Sequence, residues 1–139
     1  MNKKEAKKFL KFCIRYYRLE YVVINLEFIK KDTGNRTAYV AVGEPGEYDI
    51  VINKAELKRV PIEYSIAHEI THIWQECVGL LNWRNPDIYK WKGEWWDVDE
   101  NDPVSYFFTP WEIQARMMEE PLAYFYATGY EGLHARTKG

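Results

Sequence analysis

The stretch "YSIAHEITHIWQE", residues 64–76, contains the pattern H-E-x-x-H at His68, Glu69 and His72. The apolar residues around this pattern recur every three to four positions, which is the period of an amphipathic helix. We therefore predict a helix that begins near Ile62 and ends near Gly79. Both histidines lie off its apolar stripe, whose members are Ile62, Ile66, Ile70, Ile73, Trp74, Cys77 and Leu81.

The two histidines stand one helical turn apart and so project from the same face of the predicted helix. Two imidazoles in this arrangement can chelate one divalent cation, which we predict to be zinc, Zn2+. Glu69 lies about 100° around the helix from His68, a position suited to contacting a metal-bound water rather than the metal. The pattern therefore predicts a hydrolytic zinc site with Glu69 as the general base.

A catalytic zinc site needs a third protein ligand in addition to His68 and His72. The G-x-x-H extension found in some zinc sites is absent, because Gln75 and Val78 occupy those two positions. Glu76 follows His72 by one turn, but ligands from three consecutive turns of one helix diverge from a tetrahedral centre. We therefore expect Glu76 to face solvent. His134 is a rival in a glycine-flanked tail that we expect to be loose.

Glu112 is the preferred third ligand. It begins a second predicted helix, "PWEIQAR", between the apolar residues Trp111 and Ile113. An isolated carboxylate in such a setting is costly unless it is paired or bound to a metal. The alternative is that Glu112 is a first-turn acid stabilised by the helix dipole or paired with Arg116.

The rest of the chain predicts an α+β fold in a single domain, residues 1–139. An amphipathic helix spans roughly residues 3–19, and three segments after it read as strands: "YVVINLEFIK", which alternates with period two, "TAYVAV" and "YDIVIN". They predict a three-stranded, mostly antiparallel sheet, followed by a short helix near "KAELKR" with Asn53 and Glu56 as a capping box. Residues 81–109 are aromatic and lack a period, which predicts a long loop that walls a cleft. The last helix starts at Pro110, is kinked or ended at Pro121, and stops at Gly129.

The composition is that of a folded globular protein, with 47% hydrophobic and 17% aromatic residues and a net charge of only -2. This net charge gives no general reason to expect a nucleic-acid partner, although residues 1–18 are basic and residues 94–102 acidic. Cys13 and Cys77 are not in a C-x-x-C spacing, so we predict that both are reduced thiols. No segment is apolar and long enough for a signal peptide or membrane span, so we expect a cytoplasmic protein. We also expect it to be a monomer.

The segments "AHEITHIWQ" and "PWEIQAR" resemble those of small zinc peptidases of the gluzincin type, near the ImmA/IrrE-like and SprT-like groups and their phage-borne relatives. The resemblance covers residues 48–126. In ImmA/IrrE-like proteins the third ligand is the Glu of an E-x-x-A helix, which matches Glu112 and Ala115 here. Arg116 stands where many of those proteins have Asn, and the third His of SprT-like proteins is missing.

The resemblance implies a zinc-dependent hydrolase of peptide bonds. It also implies that a protein or peptide substrate adds as an extra strand along "YDIVIN", Tyr48–Asn53. Tyr106 and Tyr64 are nearest in sequence to the two motifs and are candidates for oxyanion stabilisation.

Two other functions remain open. One is a metal-containing, non-catalytic binding protein that occupies a protein partner, as an antirepressor or inhibitor would. The other is a nucleic-acid-associated protein acting through the basic first helix.

Overall fold

The computed structural model describes residues 1–30, 37–56, 60–83, 88–99 and 101–129. Over these ranges the fold is α+β, as predicted. The helices are α1 (Lys3–Tyr17), α2 (Ile62–Cys77), α3 (Pro103–Phe107) and α4 (Pro110–Ala127), with a 3-10 turn at Lys54–Glu56. The strands are β1 (Val23–Ile29), β2 (Ala38–Val42), β3 (Glu47–Asn53), β4 (Leu81–Asn82), β5 (Ile88–Trp91) and β6 (Glu94–Asp97).

Helix α1 confirms the first predicted helix. The side chain of Asn2 accepts a hydrogen bond from the Glu5 N–H at 2.8 Å and so caps the first turn. Arg18, at φ +56°, ends the helix in the left-handed region. The apolar face packs into the main core through Ala6, Phe9, Leu10 and Cys13.

The first sheet has three strands, as predicted, in the order β1-β3-β2. It is mixed rather than mostly antiparallel, because β1 runs parallel to β3 while β2 runs antiparallel to it. Strand β3 contains three consecutive buried apolar residues, Ile50, Val51 and Ile52. Such a run suits a strand that is covered on both faces, and it explains why β3 takes the centre of the sheet.

The central position of β3 makes one prediction wrong. Tyr48–Asn53 was expected to bind a substrate as an added strand, yet β3 is hydrogen-bonded along both edges. A further strand cannot pair with it. The edge of this sheet that borders the cavity described below belongs to β2.

The predicted long loop between residues 81 and 109 is also wrong over its described part. Strands β4, β5 and β6 form a second, antiparallel sheet, with Lys92 and Gly93 at positive φ in the turn between the last two. Helix α3 follows, and the Asp102 side chain accepts from the Val104 N–H at its start. The strands contain two to four residues, too few for period two to be recognised. A second core cluster forms under this sheet from Leu81, Trp91, Val98 and Trp111.

Helices α2 and α4 pack against each other and position the candidate site. Helix α4 continues through Pro121 without ending there, and Gly129 at φ +68° lies just beyond its C-terminus. Pro121 is exposed, so the carbonyl that its missing N–H leaves unbonded is on the solvent side. Among the described residues, no helix combines the length and apolarity that crossing a bilayer requires.

Two expectations lie partly or wholly outside the described residues. Asn53 does accept a hydrogen bond from the Ala55 N–H at 3.1 Å, but the Glu56 side chain of the predicted capping box is not described. His134 belongs to residues 130–139, which are not described.

Candidate metal centre

Three side chains from two helices meet at one point. The Nε2 atoms of His68 and His72, one turn apart on α2, lie 3.2 Å from each other. Glu112, in the first turn of α4, reaches both: its Oε2 is 2.9 Å from His68 Nε2 and its Oε1 is 2.9 Å from His72 Nε2. The structure thus brings together the three residues that the sequence predicted as ligands.

These separations fit a single zinc ion. Zinc holds nitrogen and oxygen ligands at about 2.0–2.2 Å in a tetrahedral arrangement, which places the ligand atoms about 3.3 Å apart. The observed separations of 2.9 to 3.2 Å differ from that value by only a few tenths of an ångström. Two imidazoles and one carboxylate are also the donor set of many catalytic zinc sites.

Gln75 sets the tautomer of His72. Its amide nitrogen donates to the Trp111 carbonyl at 3.0 Å and to Gln114 Oε1 at 2.9 Å. Its amide oxygen must therefore be the atom that lies 2.9 Å from His72 Nδ1. Since that oxygen can only accept, His72 carries a proton on Nδ1, and Nε2 is the ring nitrogen that is left to face a metal.

His68 lies between two carboxylates. Its Nε2 faces Glu112, and its Nδ1 is 2.8 Å from Oε2 of Glu119, two turns further along α4. Burial opposes protonation of His68, but the hydrogen bonds to these carboxylates outweigh it and raise the pKa of His68 to about 10. Burial also opposes ionisation of Glu112, yet the two histidines hold the pKa of that carboxyl well below its usual value. Without a metal the site is a charged, hydrogen-bonded cluster.

Glu69 lies beside the two histidines, as expected for the predicted general base. A carboxylate oxygen of Glu69 and one ring nitrogen from each histidine all lie within 4.8 Å of one another. The side chain is only 9% exposed and lines the same cavity as the histidines. It can therefore reach a water that a bound metal would hold.

The cavity at this cluster has a volume of about 670 Å³. One wall is the stretch from Thr37 to Val40 on the edge of the first sheet, and another comes from the segment that was predicted to wall a cleft. That segment contributes Leu81, Trp83, Tyr89, Tyr106 and Phe107. A cleft of this size can admit part of an extended peptide.

Both tyrosines considered from the sequence, Tyr64 and Tyr106, line the cavity. Tyr106 is the one in contact with the cluster. Burial raises the pKa of the Tyr106 phenol far above its usual value, and the negative charge of the neighbouring Glu112 carboxylate adds to the rise. Tyr106 therefore keeps its proton at neutral pH.

The sequence analysis missed two residues of the site, Gln75 and Glu119. The spacing of Glu119, seven residues after Glu112, was an available signal, because residues seven apart share one face of a helix.

The prediction that Glu76 faces solvent was wrong. It is partly buried and accepts a hydrogen bond from the Tyr48 hydroxyl at 3.0 Å, so it neither faces solvent freely nor joins the ligands. Glu112 pairs with the histidines and not, as the alternative held, with Arg116.

Comparison with known proteins gives no further information about this site. No family model matches the chain, and neither a curated protein nor a solved structure matches it. The chemistry inferred for this protein therefore rests on the arrangement of His68, Glu69, His72 and Glu112.

Proposed function

We propose that this protein is a zinc-dependent peptidase of the gluzincin type, as the sequence resemblance implies. The observation that carries the proposal is the convergence of His68, His72 and Glu112 within 3.2 Å of one another, with Glu69 beside them in the lining of the same cavity. A buried cluster of ionisable groups in a cleft is also the usual setting of an active site.

Each residue of the candidate site has a separate role in the proposed reaction. His68, His72 and Glu112 would hold the ion, which when bound supplies a Lewis acid and lowers the pKa of a coordinated water toward neutrality. Glu69 accepts the proton of the attacking water on its carboxylate and passes it to the leaving nitrogen. The protonated phenol of Tyr106 lies near the Glu112 carboxylate and can donate a hydrogen bond to it.

The substrate we propose is an extended protein or peptide segment that pairs with the edge of β2. The Asn53 N–H donates to the Thr37 carbonyl at 2.8 Å, so the backbone groups of Thr37 face β3. By the alternation of an antiparallel ladder, Ala38 and Val40 direct their N–H and C=O groups away from β3. These residues also line the cavity, so a peptide strand added there passes the candidate metal centre.

The setting we propose is the cytoplasm. Cys13 and Cys77 are both free thiols, as expected in a reducing compartment.

The test measures metal and turnover separately. Purified wild-type protein should contain about one zinc per chain by elemental analysis, and a Glu69→Gln variant should retain it while losing peptide cleavage. A Glu63→Gln variant is the matched control, since Glu63 lies on the same helix but does not line the cavity. It should keep both zinc and cleavage.

Two outcomes would count against a peptidase. Absence of zinc from the wild-type protein would contradict the proposed metal centre. Full biological activity in the Glu69→Gln variant would instead favour the metal-containing binding protein, which acts by occupying a partner.

A further inference from the structure

One basic residue lines the described part of the cavity and has no role in the proposed hydrolytic chemistry. Arg116 follows Glu112 by four residues on α4, so the two side chains leave the same side of the helix. Arg116 is half-buried and lines the cavity. Among the described residues that line it, Arg116 is the only lysine or arginine.

Phe107 holds the guanidinium of Arg116 in place. The central carbon of the guanidinium lies 3.4 Å from the centroid of the Phe107 ring, a stacking distance. Phe107 lines the cavity as well. Stacking on a ring occupies a face of the guanidinium and leaves the N–H groups at its edge available to another partner.

The acids nearest to Arg116 along α4 are already engaged. Glu112, four residues earlier, would be its ordinary helix partner, but both Glu112 oxygens contact histidines at 2.9 Å. Glu119, three residues later, has its Oε2 2.8 Å from His68. Over the ranges that the structure describes, no carboxylate lies within 4.0 Å of the Arg116 guanidinium.

We propose that Arg116 binds a carboxylate of the substrate, so that the enzyme acts on peptides with an acidic group close to the cleaved bond. This inference rests on the proposed peptidase function. A guanidinium presents a planar fork of N–H groups that matches a carboxylate in a bidentate pair. The group bound is either an Asp or Glu side chain or the free C-terminus of the peptide.

The test uses a pool of synthetic decapeptides randomised at every position and prepared with free or with amidated C-termini. The zinc-loaded wild type and an Arg116→Gln variant are incubated with each pool, and products are identified by mass spectrometry. An Arg15→Gln variant is the matched control, because Arg15 is an exposed arginine on α1 outside this cavity. Zinc content and melting temperature report that each variant is folded.

The wild type should prefer peptides with the acidic group by about tenfold or more, as expected for a charge-assisted pair. Arg116→Gln should lose this preference and Arg15→Gln should keep it. A preference for Asp or Glu that persists in the amidated pool assigns the side chain as the bound group. Cleavage near the end of free-acid peptides alone assigns the C-terminus.

Failure of this inference can be told apart from failure of the proposed function. Cleavage without acidic preference, or an unchanged preference in Arg116→Gln, overturns the role of Arg116 and leaves the peptidase intact. If the wild type cleaves nothing, the peptidase proposal fails, and peptides captured from the same pools by immobilised protein decide the role of Arg116. Acidic enrichment that Arg116→Gln loses supports that role, and absence of enrichment overturns it.

Discussion

Each candidate ligand histidine in this site has its outer nitrogen in contact with a polar side chain. His72 Nδ1 donates to Gln75, and His68 Nδ1 faces Glu119 at 2.8 Å. Contacts of this kind fix the ring orientation, and a carboxylate also increases the basicity of the ring nitrogen that binds the metal. The residues around the ligands are therefore expected to control zinc affinity although they do not bind zinc.

The first prediction concerns Glu119. Changing Glu119→Gln removes the charge that faces His68 and should weaken zinc binding by about 10- to 100-fold. Competition with a fluorescent zinc chelator measures the affinity. Glu120→Gln is the control, because Glu120 is the exposed neighbour on the same helix and should leave the affinity unchanged. Equal affinities in the two variants would show that Glu119 does not support the ligand.

The second prediction concerns the proton on His68. In the metal-free protein both ring nitrogens face carboxylates and the pKa of His68 is about 10, so the imidazole is protonated at pH 7. Zinc binds only the neutral ring, so binding should release about one proton from His68. The affinity should therefore rise with pH between about 6.5 and 8, below that pKa.

Calorimetric titration in buffers of different ionisation enthalpy counts the released protons. Binding that takes up or releases no proton at pH 7 would contradict the charged metal-free cluster.

At the scale of the elements, β2 is the edge strand that borders the cavity among the described strands, and period two alone did not predict this position. Period two identifies a strand and its two faces, but it does not say which strands are neighbours. The burial of Ile50, Val51 and Ile52 places β3 at the centre and so leaves β2 at the edge. For this reason we propose that a substrate pairs with β2 and not, as the sequence predicted, with β3.

The third prediction tests that edge. Val40→Pro removes an outward-facing N–H without breaking the hydrogen bonds between β2 and β3. It should raise the KM for peptide substrates by about tenfold while zinc content stays the same. Val40→Ala is the matched control, because it shortens the side chain but keeps the N–H. If both variants show the same KM, the edge of β2 does not hold the substrate.

For the whole molecule, the candidate metal centre joins two helices that are distant in the chain. Helix α2 supplies His68 and His72, and α4 supplies Glu112 after the second sheet and α3. The sequence predicted these three residues because spacing and the cost of a buried carboxylate are local signals. It could not predict the contacts of Glu119 and Gln75, which arise only where α4 packs against α2.

The fourth prediction follows from this arrangement, in which one zinc ion would connect α2 and α4. Zinc that binds only the folded state at 100 times its dissociation constant should stabilise the fold by about 2.7 kcal/mol. For a chain of this length that corresponds to a rise in Tm of about 10 °C, which differential scanning calorimetry measures and a chelator should reverse. Glu112→Gln should abolish most of the shift. A Tm that zinc does not change would mean that the ion fails to join the helices.

The most direct measurement of the central claim is an anomalous difference map, collected at the zinc absorption edge from crystals of the zinc-loaded protein. The account predicts one strong peak about 2.0–2.2 Å from His68 Nε2, His72 Nε2 and a Glu112 carboxylate oxygen, with one coordination position left to water. A map without a peak between α2 and α4, or with the ion bound to other residues, would contradict it.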